Sequence, residues 1–202
     1  MSSLSYAHRR PVVLADLFST SAVGSAVLVV IGAALIGALA QVIIPLPFTP
    51  VPLTGQTLGV LLVAGALGRW RGMAATGLYG LAGVLGVPWF AGGTSGWAIA
   101  SFGYIIGFVF AAAVAGTLAE RGWDRRPLRA LATMLLADAV ILAIGTIWLA
   151  GALQVSIVRA VQLGVLPFII GDLVKAAMAA GLLPSAWWVV HRVAGRRTGE
   201  RG

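Results

Sequence analysis

Six long apolar stretches follow one another in this sequence, and positive charges occupy every second connection between them. The stretches are Ala22–Ile44, Leu53–Leu67, Gly72–Val87, Ala98–Ala119, Leu128–Leu149 and Val165–Val190. Arginines precede the first stretch, follow the sixth, and separate the second from the third and the fourth from the fifth, twelve in all. The other three connections contain a single arginine, Arg159. Because cytoplasmic loops of membrane proteins are rich in Lys and Arg, this alternation predicts six membrane-spanning helices with both termini in the cytoplasm.

The composition is typical of a membrane protein with one membrane domain. Only 10% of the 202 residues are charged and 59% are hydrophobic, whereas a soluble domain carries about 25% charged residues. We expect an all-α membrane domain over residues 21–192, after a cytoplasmic arm at 1–20 and before a basic cytoplasmic tail at 193–202. The arginines lie in ones to threes beside apolar stretches, so we expect contact with membrane lipid and none with nucleic acid. The chain has no cysteine, and we expect no cofactor and no metal.

Two of the stretches are too short to cross a membrane upright. As a helix, Leu53–Leu67 would extend only about 22 Å, against a hydrocarbon core of about 30 Å. Gly72–Val87 is of similar length and contains five glycines. Short, glycine-interrupted membrane segments often border a binding cavity, and we favour a cavity here. Tilted or locally thinned spans are the alternative.

Two connections on the predicted outer side have unusual compositions. The first, PLPFTPVPLTGQT, contains four prolines, which restrict the backbone and favour a rigid lid over a pocket. A plain surface linker is the alternative. The second, GVPWFAGGTSGWAIASFGY, mixes glycines with aromatic residues, and in it we expect Phe90 and Tyr104 to line the pocket. For Trp97 and Phe102 we favour an aromatic belt at the membrane surface.

The only lysine of the chain, Lys175, follows Asp172 by three residues inside the last apolar stretch. A charged side chain at the centre of a bilayer costs at least ~2.5 kcal/mol, so such residues usually serve a ligand or a pathway. On a helix the two residues share a face, and a mutual ion pair is one interpretation. We favour a ligand site, because the pair lies level with the glycine-rich loop and offers both a cation and an acceptor of N–H donors. For Asp138, in the fifth stretch, we favour a structural hydrogen bond.

Four motifs, in this order and in a chain of six apolar stretches, resemble the BioY family. They are PFTPVPLTGQTLGVLLVAGALG, LYGLAGVLGVPWFAGG, FGYIIGFVFAAAVAG and GDLVKAAMA. BioY proteins are the biotin-specific substrate-binding (S) components of energy-coupling-factor (ECF) vitamin transporters. The resemblance covers the chain from about Ile31 to Trp187. It implies a six-helix bundle of the ECF S-component type in a bacterial cytoplasmic membrane, which binds biotin from outside and delivers it with a coupling protein and ABC-type ATPases.

The resemblance also implies which residues form the site. It assigns to biotin two charged residues, one tyrosine and the glycine–aromatic loop: Asp172, Lys175, Tyr104, Trp89, Phe90, Gly92 and Gly93. It further implies that small residues on the first helix contact the coupling protein. Ala34 and Ala38 have the required spacing, and so do Ala33 and Gly37. Packing within the bundle is the alternative for either pair.

The residues also bear on three other functions: an intramembrane protease, an ATPase and a secondary transporter. The run GTSG at residues 93–96 fits the serine motif of intramembrane proteases, but this chemistry needs a histidine nearby. His8 and His191, the only histidines, belong to the arginine side, opposite this serine. With no Walker A motif either, we expect no enzyme, and ATP hydrolysis would belong to partner subunits. A self-sufficient secondary transporter or facilitator for a small carboxylate or vitamin, with Asp172 or Asp138 as proton carrier, stays open.

Overall fold

The chain folds into a helical bundle, described by a computed structural model for residues 12–19 and 21–199. From residue 193 onward the description covers the backbone alone. The α-helices of the described residues are α1 Ala22–Leu39, α2 Gln56–Leu67, α3 Arg69–Val84, α4 Phe102–Glu120, α5 Pro127–Leu153, α6 Ile157–Gly164 and α7 Ile169–Gly199. Most of the predicted arm (1–11) and the end of the predicted tail (200–202) lie outside the described residues.

Four helices are long and apolar enough to cross a membrane: α1, α4, α5 and the part Ile169–Arg192 of α7. With 12 and 16 residues, α2 and α3 would reach only about 18 and 24 Å. Only Gly68 separates these two helices, and its φ of 81° lies in the left-handed region that glycine adopts without strain. Both segments are as short as predicted, and length and composition identify four candidate spans among the described residues rather than six.

The sequence patterns did not predict α6, which lies in the connection between the fifth and sixth apolar stretches. Its N-terminus is capped by Ser156, whose hydroxyl accepts a hydrogen bond from the backbone N–H of Arg159 at 3.3 Å. Ala160 and Gly164 are buried against the bundle, while the first residues are exposed. A helix of eight residues has barely two turns, too few to show a clear apolar period in the sequence.

The proline loop between α1 and α2 is closed by a two-stranded antiparallel hairpin. Its strands are β1 (Ile43–Ile44) and β2 (Leu53–Thr54), in which Ile43 pairs with Thr54. Residues 45–52, between the strands, contain all four prolines. The hairpin packs closely on α7, since a Cβ added at Gly171 would lie 2.9 Å from the side chain of Leu53. The loop is therefore attached to the last helix as well as to its own neighbours.

Helix α4 is the centre of the bundle and packs against α2, α3 and α5. Small residues form most of its buried face, and Ala111, Ala112 and Ala115 are fully buried. Gly107 lies so close to α5 that an added Cβ would be 3.0 Å from the Cα of Ile141. Close approach of this kind supplies the van der Waals contact on which helix association in membranes depends.

The two ends of the bundle are built from different segments. One end, called the loop end below, carries the hairpin, the loop at residues 85–101 and α6. The opposite end, called the arginine end, carries the short 3-10 helix Leu14–Leu17, the α2–α3 junction and the 3-10 helix Trp123–Arg125. The connections predicted from the arginine count to share a side of the membrane therefore share an end of the bundle.

At the arginine end, Asp16 ties the first described segment to the bundle. Its Oδ1 lies 2.5 Å from Nη2 of Arg71, and its Oδ2 accepts hydrogen bonds from the backbone N–H groups of Val12 and Val13 at 2.9 and 3.1 Å. Burial acts to raise the pKa of Asp16, but the hydrogen bonds from Arg71 and from the two N–H groups outweigh it. The pKa is therefore lowered from its ordinary 3.8.

A second acid of this end, Asp124, fixes α7 to the α4–α5 connection. Asp124 is fully buried and accepts a hydrogen bond from the indole Nε1 of Trp187. The guanidinium of Arg125 lies 4.3 Å above the same indole ring. Burial raises the pKa of Asp124 above 3.8, and the hydrogen bond from Trp187 offsets part of that rise.

Candidate functional site

A cavity at the loop end is bounded by the hairpin, the loop after α3, and helices α2, α4, α5 and α7. Its empty volume is about 550 Å³, which includes the solvent-filled opening. Most of the wall is apolar, with Val51 and Pro52 of the proline loop on one side and Phe168 before α7 on another. The polar side chains that line it are Thr54, Gln56, Thr57, Ser101, Tyr104, Asp172 and Lys175.

The ammonium group of Lys175 joins three elements of the fold. It lies 2.6 Å from Oδ1 of Asp172, one helical turn away on α7. It also donates hydrogen bonds to Oγ1 of Thr57 in the first turn of α2, at 2.5 Å, and to the backbone carbonyl of Thr54 in β2, at 3.2 Å. An ammonium group has three N–H donors, and two of them have acceptors here, while the carboxylate of Asp172 supplies the opposite charge. The side chain of Lys175 is only 12% exposed, and such a burial would be costly without these contacts.

Asp172 is less well satisfied than Lys175. Its Oδ1 is close to the ammonium, yet no donor among the described residues reaches that oxygen with hydrogen-bond geometry. A carboxylate accepts about four hydrogen bonds, so Asp172 retains capacity for the N–H donors of a ligand. The mutual ion pair and the ligand site, which the sequence offered as alternatives, are compatible with one another. Asp172 and Lys175 form an ion pair, and both line the cavity.

Tyr104, at the start of α4, forms a wall of the cavity. Its hydroxyl donates a hydrogen bond to the backbone carbonyl of Gly164 in α6 at 2.8 Å. Two glycines make room for it, since a Cβ at Gly145 would collide with the ring and one at Gly164 with the hydroxyl. The tyrosine is therefore held in one orientation by α5 and α6.

The loop after α3 contributes Phe90 and Ala91 to the cavity, and its glycines lie outside the lining. The ring of Phe90 is 1% exposed and packs over Gly83, where a Cβ would collide with it. Gly92 and Gly93 have φ angles of 71° and 70°, and the N–H of Gly93 donates to the carbonyl of Phe90 at 3.0 Å. The predicted glycines thus form the turn that presents Phe90, and they are themselves exposed.

Trp89, predicted in the same loop, does not line the cavity. Its indole Nε1 donates to the backbone carbonyl of Tyr79 at 3.0 Å, and the ring packs against Gly37 of α1. Tyr79 in turn receives a hydrogen bond from Nε2 of Gln56 at 2.5 Å. Trp89 thus stabilises Tyr79, which binds Gln56 of the cavity lining, and it does not itself face the open space. A sequence motif cannot separate these roles, because they depend on which way the loop turns.

Comparison with known proteins assigns the family. Residues 11–192 match the model of the BioY family. The chain belongs to the BioY family. It is 38% identical over 157 residues to "Biotin transporter BioY2" of Lactococcus lactis subsp. cremoris (strain MG1363), covering 76% of this chain and 85% of that one. It is 36% identical over 147 residues to "Biotin transporter BioY" of Rhizobium etli, covering 68% and 78%.

A solved structure has the same fold as this BioY-family chain. It is described as the crystal structure at 2.1 Å of the S-component for biotin from an ECF-type ABC transporter. The TM-score is 0.73, and the match covers 83% of this chain and 94% of that chain at 23% sequence identity. The resemblance inferred from the four motifs is therefore confirmed, and the all-helical fold is that of an ECF S component.

Sequence reasoning missed several polar residues of the cavity in this BioY chain. Gln56, Thr57 and Ser101 line it, and Thr54 supplies a carbonyl to Lys175. The sequence did contain a signal for Thr54, Gln56 and Thr57. They form the polar run TGQT, which belongs to one of the four family motifs and stands at the start of a predicted helix. Their side chains could not be assigned to a cavity before the hairpin was known to fold back on α7.

We favoured a structural hydrogen bond for Asp138 of this BioY chain, and none is found among the described residues. The residue is 5% exposed, and its Oδ1 has no hydrogen-bond partner among the described residues. It is not part of the cavity lining, although Ile141 and Leu142, on the next turn of α5, are. The carboxyl group therefore lies beneath the cavity without a described partner for that oxygen.

The structure separates the two pairs of small residues on α1 of this BioY chain. Ala33 and Gly37 are buried, the latter against the ring of Trp89. Ala34 and Ala38 are exposed on the outer face of the helix. Packing within the bundle thus uses the first pair, and the second pair remains available to a partner.

Proposed function

We propose that this protein takes up biotin as the S component of an ECF-type transporter. The supporting observation is the cavity at the loop end, in which one cation and one incompletely satisfied carboxylate face a space with mostly apolar walls. Biotin matches this chemistry, because its ring system is largely apolar while its ureido group and carboxylate are polar. The names of the related biotin transporters favour the same substrate.

The residues divide into two roles in this proposal. Lys175 and Asp172 bind the polar groups of biotin, and the ring systems of Tyr104 and Phe90 form flat apolar walls. Trp89, Gly92 and Gly93 act indirectly, by holding Phe90 and the wall behind it. The protein binds and delivers its substrate without converting it, and partner ATPases supply the energy.

The proposed topology places the arginine end in the cytoplasm and the loop end outside. The twelve-to-one distribution of arginines supports this orientation. Helices α1 to α5 and α7 then form six spans, with the bilayer locally thinned around the short α2 and α3, and α6 lies at the outer surface. The exposed face of α1 with Ala34 and Ala38 is the proposed contact with the membrane-embedded coupling protein, because small residues at this spacing permit close helix approach.

A secondary transporter is the second candidate, and Asp138 is the observation that favours it. A buried carboxyl group without a described partner for one oxygen, beneath a cavity, has the placement that a proton carrier requires. In that case the protein alone would accumulate biotin in response to a proton gradient.

Two measurements test the proposal. Purified protein titrated by calorimetry with biotin, thiamine and riboflavin is expected to bind biotin alone. Lipid vesicles that contain only this protein are expected to bind biotin without accumulating it, and to accumulate it once the coupling protein and ATPases are added. Accumulation by the isolated protein under a proton gradient would instead support the secondary transporter, and preference for another vitamin would contradict biotin as the substrate.

A further inference from the structure

The C-terminal end of α6 binds both the proline loop and a wall of the cavity. Oγ1 of Thr49, in the loop between β1 and β2, donates a hydrogen bond to the backbone carbonyl of Leu163 at 2.8 Å. The hydroxyl of Tyr104 donates to the carbonyl of the next residue, Gly164, also at 2.8 Å. Two successive backbone carbonyls at the end of α6 thus accept hydrogen bonds from different parts of the cavity. Leu163 binds the proline loop, and Gly164 binds Tyr104 of the cavity wall.

Helix geometry explains why these carbonyls are available. The last four carbonyls of an α-helix have no partner N–H within the helix. In α6 the carbonyl of Val161 is used by the N–H groups of Val165 and Leu166. The carbonyls of Leu163 and Gly164 instead bind hydroxyl groups from other elements. The Thr49 bond lies at a half-buried position beside exposed residues, so water can replace it when the loop moves away.

We propose that the end of α6 is the docking point of the proline loop, and that Thr49 is a positioning residue that sets how long biotin stays bound. This inference rests on the proposed function. In the closed arrangement the Thr49–Leu163 bond holds Val51 and Pro52 against the cavity. A bound ligand in contact with Tyr104 stabilises α6 in the position that the loop binds. Biotin binding in the cavity and docking of the proline loop on α6 therefore stabilise one another.

The dissociation rate of biotin is the primary test. Removal of one hydrogen bond between neutral groups in Thr49→Val is expected to raise the dissociation rate about fivefold, with the thermal stability of the ligand-free protein unchanged. Thr49→Ser keeps the hydroxyl and is expected to restore the wild-type rate. Thr94→Val is the matched control, since among the described residues the Thr94 hydroxyl bonds only to the carbonyl of Ala91, within its own loop. A dissociation rate unchanged in Thr49→Val, or raised equally in Thr94→Val, would overturn the proposal.

Loop opening can also be measured without biotin, because the chain has no cysteine. Ser101 lines the cavity, so Ser101→Cys provides a single thiol behind the loop. In ligand-free protein, a water-soluble maleimide is expected to modify this thiol several times faster when Thr49→Val is added. Equal rates would contradict docking of the loop on α6. This assay stays informative even if the protein binds a ligand other than biotin, so the two proposals fail separately.

A double-mutant cycle separates docking from a local effect of Thr49. The same hydroxyl also accepts a hydrogen bond from the backbone N–H of Val51 at 3.2 Å, inside the loop. Gly164→Ala would push against the Tyr104 hydroxyl and displace the end of α6. If α6 is the docking point, Thr49→Val adds little to the labelling rate in the Gly164→Ala background. Additive effects would show that Thr49 acts within the loop alone, and would refute docking.

Discussion

Each end of the bundle contains a carboxylate paired with a cation, and the two pairs are built for different purposes. At the arginine end, Asp16 binds Arg71 across 55 positions of the chain, and Arg71 also donates to the carbonyl of Leu67 at 3.0 Å. At the loop end, Asp172 and Lys175 lie one turn apart on a single helix and border a cavity. The first pair joins separate segments, whereas the second joins residues that α7 already holds together.

The difference indicates which pair serves stability and which serves binding. The side chains of Asp16 and Arg71 are each 20% exposed, and at Asp16 the hydrogen bonds and the charge of Arg71 outweigh the cost of desolvation, because the pKa of this carboxyl is lowered. Those of Asp172 and Lys175 are 5% and 12% exposed, and a buried ion pair is on balance a poor source of stability. We therefore expect changes at the loop end to weaken binding and changes at the arginine end to weaken the fold. Four predictions test this contrast.

The largest effect is expected for Lys175→Met. This substitution removes the cation and leaves Asp172 unpaired, a change that costs about 3–5 kcal/mol at buried sites. We expect biotin affinity in a calorimetric titration to fall at least about 100-fold. The double variant Lys175→Met/Asp172→Asn removes both charges, and it is expected to recover the thermal stability but not the binding. Recovered binding in the double variant would show that the pair is only structural.

A smaller loss is expected for Asp172→Asn, which keeps the shape of the side chain and removes its charge. Lys175 retains its bonds to Thr57 and Thr54 in this variant, so the fold should be preserved. We expect biotin affinity to fall about tenfold, because a hydrogen bond to a charged acceptor is worth about 1.5–3 kcal/mol. An unchanged affinity would refute direct contact between Asp172 and biotin.

The opposite outcome is expected for Asp16→Ala at the arginine end. The loss of its bonds to Arg71 and to two backbone N–H groups should lower the free energy of unfolding by about 1–2 kcal/mol and leave biotin affinity unchanged. Because the folded-state pKa of Asp16 lies below 3.8, its contribution is complete above that value and is lost as the pH falls through the folded-state pKa. Thermal unfolding in detergent should therefore differ between wild type and variant at pH 6, and the difference should shrink as the pH falls below 3.8. A difference that persists at low pH would contradict this role of the carboxylate.

The smallest effect is expected for Thr57→Val, which removes one of three acceptors around the ammonium of Lys175. The loss of one such bond should reduce biotin affinity a few-fold. Thr117→Val is the control, since in the described part of the chain the Thr117 hydroxyl bonds only to the carbonyl of Ala113, within α4. Equal affinities for the two variants would show that the orientation of Lys175 does not depend on Thr57.

Much of the fold could be predicted from the sequence, because bilayer thickness and charge placement act on whole segments. The fourth stretch was predicted as Ala98–Ala119, and the helix runs from Phe102 to Glu120. The membrane imposes long apolar runs, and their ends are marked by arginine or by glycine and proline. The helix α6 lacks such a signal, since it is too short to span and lies in a connection.

The candidate site was predicted in part. Lys175 and Asp172 were identified because charges inside an apolar run are costly, and that argument needs no structure. Trp89 was grouped with Phe90 through their adjacency in the loop, but adjacent side chains of a turn point in different directions. Gln56 was passed over because a polar residue at the start of a helix is common and carries no specific signal.

The sequence by itself determined the class of protein, the long helical segments, the family and the two charges that need partners. These follow from local composition, from spacing along one chain and from motifs in a set order. The tertiary structure alone decided that the hairpin reaches α7, that Ala33 faces inward while Ala34 faces outward, and that α6 binds the proline loop. Such contacts depend on how helices rotate and cross, and close packing between distant segments sets those angles.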